Sequence, residues 1–406
     1  MIIAIYGIPR CGKDTFINEV LQKRTNSFHL KGSEKLNQLS LQRYDKKFKL
    51  LDDDKQKEIR VLFTECAKQL EKEYDLVIVD GHYAFPDGDS YKSVFTEADL
   101  SLYDVFFYLN RTPEEIKRNF NSGDKKDYEE QLLSPEKVEQ WIEFEISNMK
   151  KDVEKEEKDL IVLDSDSFAV DYVCGFNKTS KEVALSLVKN IKALAGNKSI
   201  VLVDLDKTTS INDLTNDFIE NSRLDSHFPK VIFKGDYYTD YQFTVFHKFL
   251  MGSVNFEESI EYAIDKLVLN NVLIADLYAL KNESTIIAIT TGMVDAWSKK
   301  NNDIHLFDAI FGFSKENNLV ITPFVKKLVA RYLSKTNKTL AIGDSIIDLG
   351  MVIEANKGYL VSMTKLDKRI LKAHDNGLIT KQLFQPKYSI YKYDFLKEDD
   401  VQWWKS

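Results

Sequence analysis

The sequence predicts two α/β domains, each built on a parallel sheet, and three observations carry that expectation. Strand-length apolar runs recur along the chain (IIAIYG, LVIVDG, DVFFYL, LIVLDS, SIVLVDLD, TIIAITTG and TLAIGDS), with longer amphipathic segments between them. That alternation is the pattern of strands covered by helices. Nearly every run ends in Gly, Asp, Ser or Thr, which collects polar groups at the carboxyl ends of strands, where open α/β sheets bind ligands. The pattern starts afresh after KALAGNKS, residues 192–199, so domains are expected over 1–196 and 199–406.

Bulk composition narrows the function classes. A chain of 406 residues that is 43% hydrophobic can bury two separate cores. Lys+Arg 56 against Asp+Glu 64 gives a net charge of −8, which argues against attachment to nucleic acid through an overall field and leaves only a local basic groove. Cys11, Cys66 and Cys174 are scattered without CxxC spacing, so neither a disulfide framework nor a zinc site is indicated. No basic segment precedes the first apolar run and none of the runs has the length of a membrane span, so a cytoplasmic protein without a membrane partner is expected. Region 111–158, rich in Lys and Glu, reads as long exposed helix, and the tail VQWWKS as a clamp packed on the second domain.

The first chemical signal is GIPRCGKDT, Gly7 to Thr15, between an apolar run and the helical pattern FINEVLQKR. Its spacing is GxxxxGK, followed by Asp14 and then Thr15. A phosphate chain is held by consecutive backbone N–H groups of a tight loop, which needs glycine at Gly7 and Gly12 for close approach. Lys13 can then reach the outer phosphates, the helix N-terminus adds its dipole, and Arg10, Asp14 and Thr15 are the further candidates for the phosphates and their Mg²⁺. Asp80, closing YDLVIVD, suits a carboxylate that holds Mg²⁺ through water. Arg111, Arg118, Lys125 and Lys126 are cations that could clamp a transferring phosphoryl group.

These residues resemble the P-loop kinases of the adenylate kinase and deoxynucleotide kinase group, over residues 1 to about 195. FHLKGSEKL, residues 28–36, looks like the segment that meets the phosphate acceptor, and VDGHYAFP like the Walker B region. The resemblance implies ATP-dependent transfer to a small acceptor.

The second signal is VLVDLDKTTS, residues 201–210. Asp204 and Asp206 share one side of an extended chain, and two carboxylates brought together repel unless a cation or shared proton offsets them. A Mg²⁺-dependent phosphotransfer site uses both, one as nucleophile and one as acid and base. TIIAITTG ends on Thr290 and Thr291, whose hydroxyls and loop N–H groups can hold phosphate oxygens. TPFVKKLVARYL places Lys326 and Lys327 in a first helical turn, either able to neutralise the nucleophile; Lys326 is preferred because it lies nearer the helix start. TLAIGDSIID supplies Asp344 and Asp348 as further metal ligands.

In this order the motifs resemble the haloacid dehalogenase superfamily, with DLDKT for DxDxT and GDSIID for GDxxxD. Carried over, Asp204 is the nucleophile, Asp206 the acid and base, Thr291 the phosphate-holding hydroxyl and Lys326 the positive charge. Asp204, Asp206, Asp344 and Asp348 surround Mg²⁺, a Rossmann-like fold is implied, and retention of Asp206 favours a phosphatase. The stretch 211–282 shows helical spacing and aromatic residues, so a small helical cap is expected, as in the phosphoserine-phosphatase-like branch, with its aromatics packing the cap core in preference to stacking a base or sugar. The whole reads as a bifunctional enzyme, a kinase for a small acceptor (a nucleoside, a nucleotide or a phosphorylated metabolite) joined to a Mg²⁺-dependent phosphatase of a phosphomonoester. The alternatives are a polynucleotide 5′-kinase and 3′-phosphatase, and a nucleotide-sensing module controlling the phosphatase.

Overall fold

The computed structural model describes residues 1–121, 134–164, 167–361, 368–370, 388–389 and 392–393. Lys125 and Lys126, and the two tryptophans of VQWWKS, lie outside the described residues.

The chain divides into Met1–Thr179 and Ser180–Ser406. The first unit holds β1 (Ile2–Tyr6), β2 (Ser27–Leu30), β3 (Leu76–Asp80), a hairpin of β4 (Ala84–Asp87) and β5 (Ser90–Ser93), then β6 (Val105–Leu109) and β7 (Asp159–Leu163). Its main sheet runs β2-β3-β1-β6-β7 with all neighbours parallel. β1 and β6 are wholly buried, which is why they read as unbroken apolar runs rather than alternating ones. Parallel pairing needs crossovers, and these are helices such as Lys13–Lys23, Gly32–Tyr44 and Asp53–Leu70.

The second unit holds β8 (Ser199–Val203), β9 (Ser284–Met293), β10 (Ala309–Phe313), β11 (Thr339–Gly343) and β12 (Lys357–Leu360). The order is β10-β9-β8-β11-β12, again all parallel. Each five-stranded sheet therefore has the strand that leads into the first motif, β1 or β8, at its centre. Between β8 and β9 lie five helices from Leu214–Asn221 to Asn271–Leu280. Phe228, Phe233, Phe246, Phe249 and Phe256 from these helices belong to one cluster with Val203, Ile286 and Trp297, and Phe228 stacks on Phe249 at 4.3 Å.

Two expectations are corrected. The break falls at Thr179/Ser180, not at 196–199: the helix Ser180–Ala195 packs Ala184, Leu187, Val188 and Ile191 into the cluster that contains Ile200, Leu202, Leu328 and Ala341 of the second unit. Region 111–158 is not one exposed helix. Its second helix, Pro135–Lys155, buries Val138, Trp141, Ile142, Ile146, Met149 and Val153 along one face. Glu145 on that face is 0% exposed and accepts hydrogen bonds from Ala84 N at 2.8 Å and Tyr108 Oη at 2.7 Å. Burial pushes its carboxyl up to about 7, against those donors. Among the described residues no helix is long and apolar enough to cross a membrane.

Candidate active sites

In the first unit β1 runs into the loop Gly7–Gly12, and Gly12 takes φ 86°, the left-handed conformation that a side chain disfavours. At Gly7 a Cβ would stand 2.7 Å from Cys11 Sγ. Lys13 opens the helix Lys13–Lys23 and turns back over the loop: Nζ donates to Gly7 O at 2.7 Å and Ile8 O at 3.3 Å. Those carbonyls occupy the ammonium where a phosphate would compete for it. Asp14 and Thr15 stand exposed in the first turn of that helix. Arg10 places its guanidinium 5.9 Å from the Phe120 ring centroid, and its carbonyl accepts from Asn119 Nδ2 at 2.9 Å. Arg111 donates to Asn110 O at 3.3 Å, and Arg118 is exposed.

Asp80 ends β3 beside β1, with Ile5 as its register partner. Its Oδ1 accepts from Gly32 N at 3.2 Å and lies 3.0 Å from His29 Nε2. Burial raises its pKa, yet His29, the Gly32 N–H and Lys13 outweigh that and hold it below the usual carboxylate value. His82, two residues on, has a buried Nδ1 without a partner among the described residues. Burial, then Lys13, pushes His82 down to about 3, so it is neutral at pH 7.

The second site forms where β8, β9 and β11 end together. Asp204 N donates to Ile342 O at 2.9 Å, which seats the DLDKT turn against β11. The turn Leu205–Thr209 is irregular, with Lys207 at φ 59°. Lys326, 1% exposed, donates to Asp204 Oδ1 at 2.6 Å and Asp348 Oδ1 at 2.7 Å. Lys327 instead lies 6.0 Å from the Phe324 ring centroid. The helix carrying both starts at Pro323 behind Thr322, whose hydroxyl accepts from Val325 N. Thr208 Oγ1 donates at 3.4 Å to both Asp204 Oδ2 and Asp344 Oδ1. Asp348 folds so closely over the end of β11 that a Cβ on Gly343 would stand 2.3 Å from its Cβ.

Asp204, Asp344 and Asp348 each offer a ligand atom within 4.8 Å of the others. Among the described residues the ammonium bonded to these carboxylates is that of Lys326, with Lys207 acting on Asp344 without a bond to it. Burial and the neighbouring carboxylates push Asp204 and Asp344 up. Lys326 is held above the ordinary lysine value, because Asp204 and Asp348 outweigh its own burial. A pocket short of positive charge, lined by hard oxygen donors, fits Mg²⁺. When bound, the ion would polarise a phosphoryl oxygen and offset the charge of the nucleophile.

Asp206 is kept out of that cluster, which corrects its expected place among the carboxylate ligands. Its Oδ1 accepts from Trp297 Nε1 at 2.9 Å and its Oδ2 from Thr215 Oγ1 at 3.2 Å. Burial first, then Asp213, pushes it up to about 7, with Trp297 acting the other way. At neutral pH such a group can hold or release a proton. Thr290 Oγ1 accepts from Gly292 N at 3.1 Å, while Thr291, half-buried, gives its carbonyl to His247 Nε2 at 3.2 Å. His247 comes from the helical insertion, stacks on Phe313 at 4.0 Å, and is pushed by burial down to about 4.

Comparison with known proteins follows this division. Residues 6–133 match the AAA domain family. No curated protein matches the chain. A phospho-aspartyl intermediate analogue of phosphoserine phosphatase is 18% identical, covering 44% of this chain and 99% of that one, at a TM-score of 0.35. A HAD family hydrolase from Salmonella enterica serovar Typhi is 15% identical over 50% of this chain and 69% of its own, at 0.37. The Pnkp1/Rnl/Hen1 RNA repair complex is 12% identical over 96% of each chain, at 0.24. Superpositions this loose carry no residue roles, which therefore rest on the geometry above.

Sequence reasoning missed several residues of the second site. Thr208 stands inside DLDKT and is signalled by its fixed place in that motif. Trp297, Thr215 and His247 carry no such signal, because separate helices bring them in by tertiary packing alone.

Proposed function

We propose that the protein is a bifunctional phosphotransfer enzyme. The second unit hydrolyses a phosphomonoester through an aspartyl-phosphate on Asp204, and the first transfers the γ-phosphoryl group of ATP to a small acceptor. The observation that carries the reading is the fully buried contact of Lys326 with Asp204 Oδ1 at 2.6 Å, beside a second carboxyl, Asp206, kept separate by its own donors. Lys326 favours the ionised form of one carboxylate for attack, against its burial, and another stands at a protonation state suited to proton transfer, the division that aspartyl-phosphate chemistry needs. Thr208, Thr290, Thr291 and the N–H groups of the β9 loop would hold phosphoryl oxygens, and Asp344 and Asp348 would hold Mg²⁺. In the first unit, ATP would draw Lys13 from Gly7 O and Ile8 O to its outer phosphates.

The test is a pair of single variants. Asp204→Asn is expected to lose phosphate release by more than about a thousandfold and to keep ATP-dependent phosphorylation, and Lys13→Ala to show the reverse. Equal loss of both activities in folded Asp204→Asn protein would sink the idea of two independent sites. Offering nucleoside monophosphates and 5′-hydroxyl oligonucleotides as separate acceptors decides the substrate class of the first unit.

A further inference from the structure

A carboxyl group that protonates a leaving oxygen must present its proton on one particular oxygen, and Trp297 decides which oxygen of Asp206 that is. The indole Nε1–H donates to Oδ1 at 2.9 Å, and an indole nitrogen donates without accepting. An N–H already seated on Oδ1 favours placing the acid proton on the other oxygen. That oxygen, Oδ2, accepts from Thr215 Oγ1 at 3.2 Å, which leaves the remaining direction on Oδ2 for the proton. Oδ2 also borders the loop after β9: a Cβ on Gly292 would stand 3.5 Å from it and 3.1 Å from Thr215 Oγ1. Gly292 directly follows Thr290 and Thr291. Trp297 is well fixed for this purpose, being 0% exposed, in the first turn of the helix Asp295–Ile304, with the Phe307 ring set against it at 6.3 Å and 76°.

We propose that Trp297 is a positioning residue of the phosphatase: by occupying Oδ1 it assigns the proton of Asp206 to Oδ2, beside the phosphate-holding loop, and Thr215 keeps that proton aimed. This rests on the phosphatase reading above. In the first half-reaction an Asp204 oxygen bonds to phosphorus, the bond from phosphorus to the alcohol oxygen breaks, and that oxygen takes the Oδ2 proton. The charge left on Asp206 is met by the indole N–H. In the second, Asp206 takes a proton from water, the water oxygen bonds to phosphorus, and the bond to Asp204 breaks to release inorganic phosphate.

The experiment is a leaving-group series on the full chain, from nitrophenyl phosphate, which departs without help, to alkyl phosphates, which need a proton. Trp297→Phe removes the N–H and keeps an aromatic ring. It is expected to lower the ratio of alkyl to nitrophenyl turnover by about tenfold or more, as loss of an aligned general acid does. Thr215→Val should lower the same ratio by a smaller factor and Thr215→Ser should restore it. A uniform loss across the series in either Trp297→Phe or Thr215→Val, or no change in the ratio, overturns the proposal. Should Trp297→Phe fail to fold by its near-ultraviolet circular dichroism, the Thr215 pair decides alone. Wild-type protein that releases phosphate from neither end of the series marks a failure of the phosphatase reading instead.

Discussion

The two candidate sites occupy corresponding places on their sheets and are assembled from opposite materials. In the first, the candidate surface is backbone: a tight loop with Gly7 and Gly12 at positive φ and Lys13 resting on the loop's own carbonyls. In the second it is side chains, three carboxylates around the ammonium of Lys326, almost all out of water. A backbone site gathers little charge before its ligand arrives, so its fold does not depend on the ligand. A site of gathered carboxylates stores repulsion that a bound cation would relieve.

The largest effect that would sharpen this contrast is on stability without metal. Lys326→Met removes the ammonium between Asp204 and Asp348, and should destabilise the second unit by about 3–5 kcal/mol in chelator, the cost of breaking a buried ion pair. Lys13→Met should cost the first unit about 1–2 kcal/mol, less than Lys326→Met, since its partners are neutral backbone carbonyls rather than carboxylates. Comparable losses in denaturant unfolding would erase the distinction.

Acidity offers a second handle. Glu145 has its folded pKa raised from 4.5 to about 7, so its contribution is fully present below pH 4.5 and is lost as pH rises through 7, by about 3 kcal/mol in all. Glu145→Gln should flatten that slope, measured as the difference in unfolding free energy from wild type across the window. His82, pushed from 6.5 down to about 3, works in the opposite direction and is common to both proteins. Mg²⁺ should leave the Glu145 slope untouched. In the second unit, Mg²⁺ at a hundred times its dissociation constant should add about 2.7 kcal/mol to stability; identical melting with Mg²⁺ and with chelator would contradict the proposed ion site. A smaller effect than those on the ion cluster and on Glu145 is expected of Gly12→Ala, about 1–2 kcal/mol from the strained left-handed backbone, read by thermal melting together with weakened ATP binding.

What the sequence made legible follows from where information is stored. The central strands β1, β3, β6, β8, β9 and β11 are buried runs, and their periodicity alone marks them. The edge strands β10 and β12, AIFGF and KGYL, are shorter or half-exposed, and no apolar run announced them. Asp204, Asp344, Asp348 and Lys326 could be found because each sits at a fixed distance from a strand end or helix start. The choice of Lys326 over Lys327 rested on helix position, and it is Lys326 that reaches Asp204. Asp206 as a carboxylate ligand did not hold, because proximity in sequence to Asp204 says nothing of Trp297 and Thr215 drawing its side chain away. The domain limit was misplaced because an amphipathic helix, Ser180–Ala195, carries no mark of which sheet it will cover.

Both first motifs issue from the middle strand of five, flanked on each side by a strand delivering another functional group. The outer strands β7 and β12 carry none of the residues named at either site and can lengthen, shorten or drift with less consequence, whereas β2 and β10 still bring His29 to Asp80 and Phe313 to His247. Deleting one residue from β8 would be another matter: pairing with β9 and β11 would carry Asp204 to the opposite face of the sheet, and its place at the mouth would fall to Leu205. Evolutionary freedom in this chain should therefore widen with distance from the two axial strands.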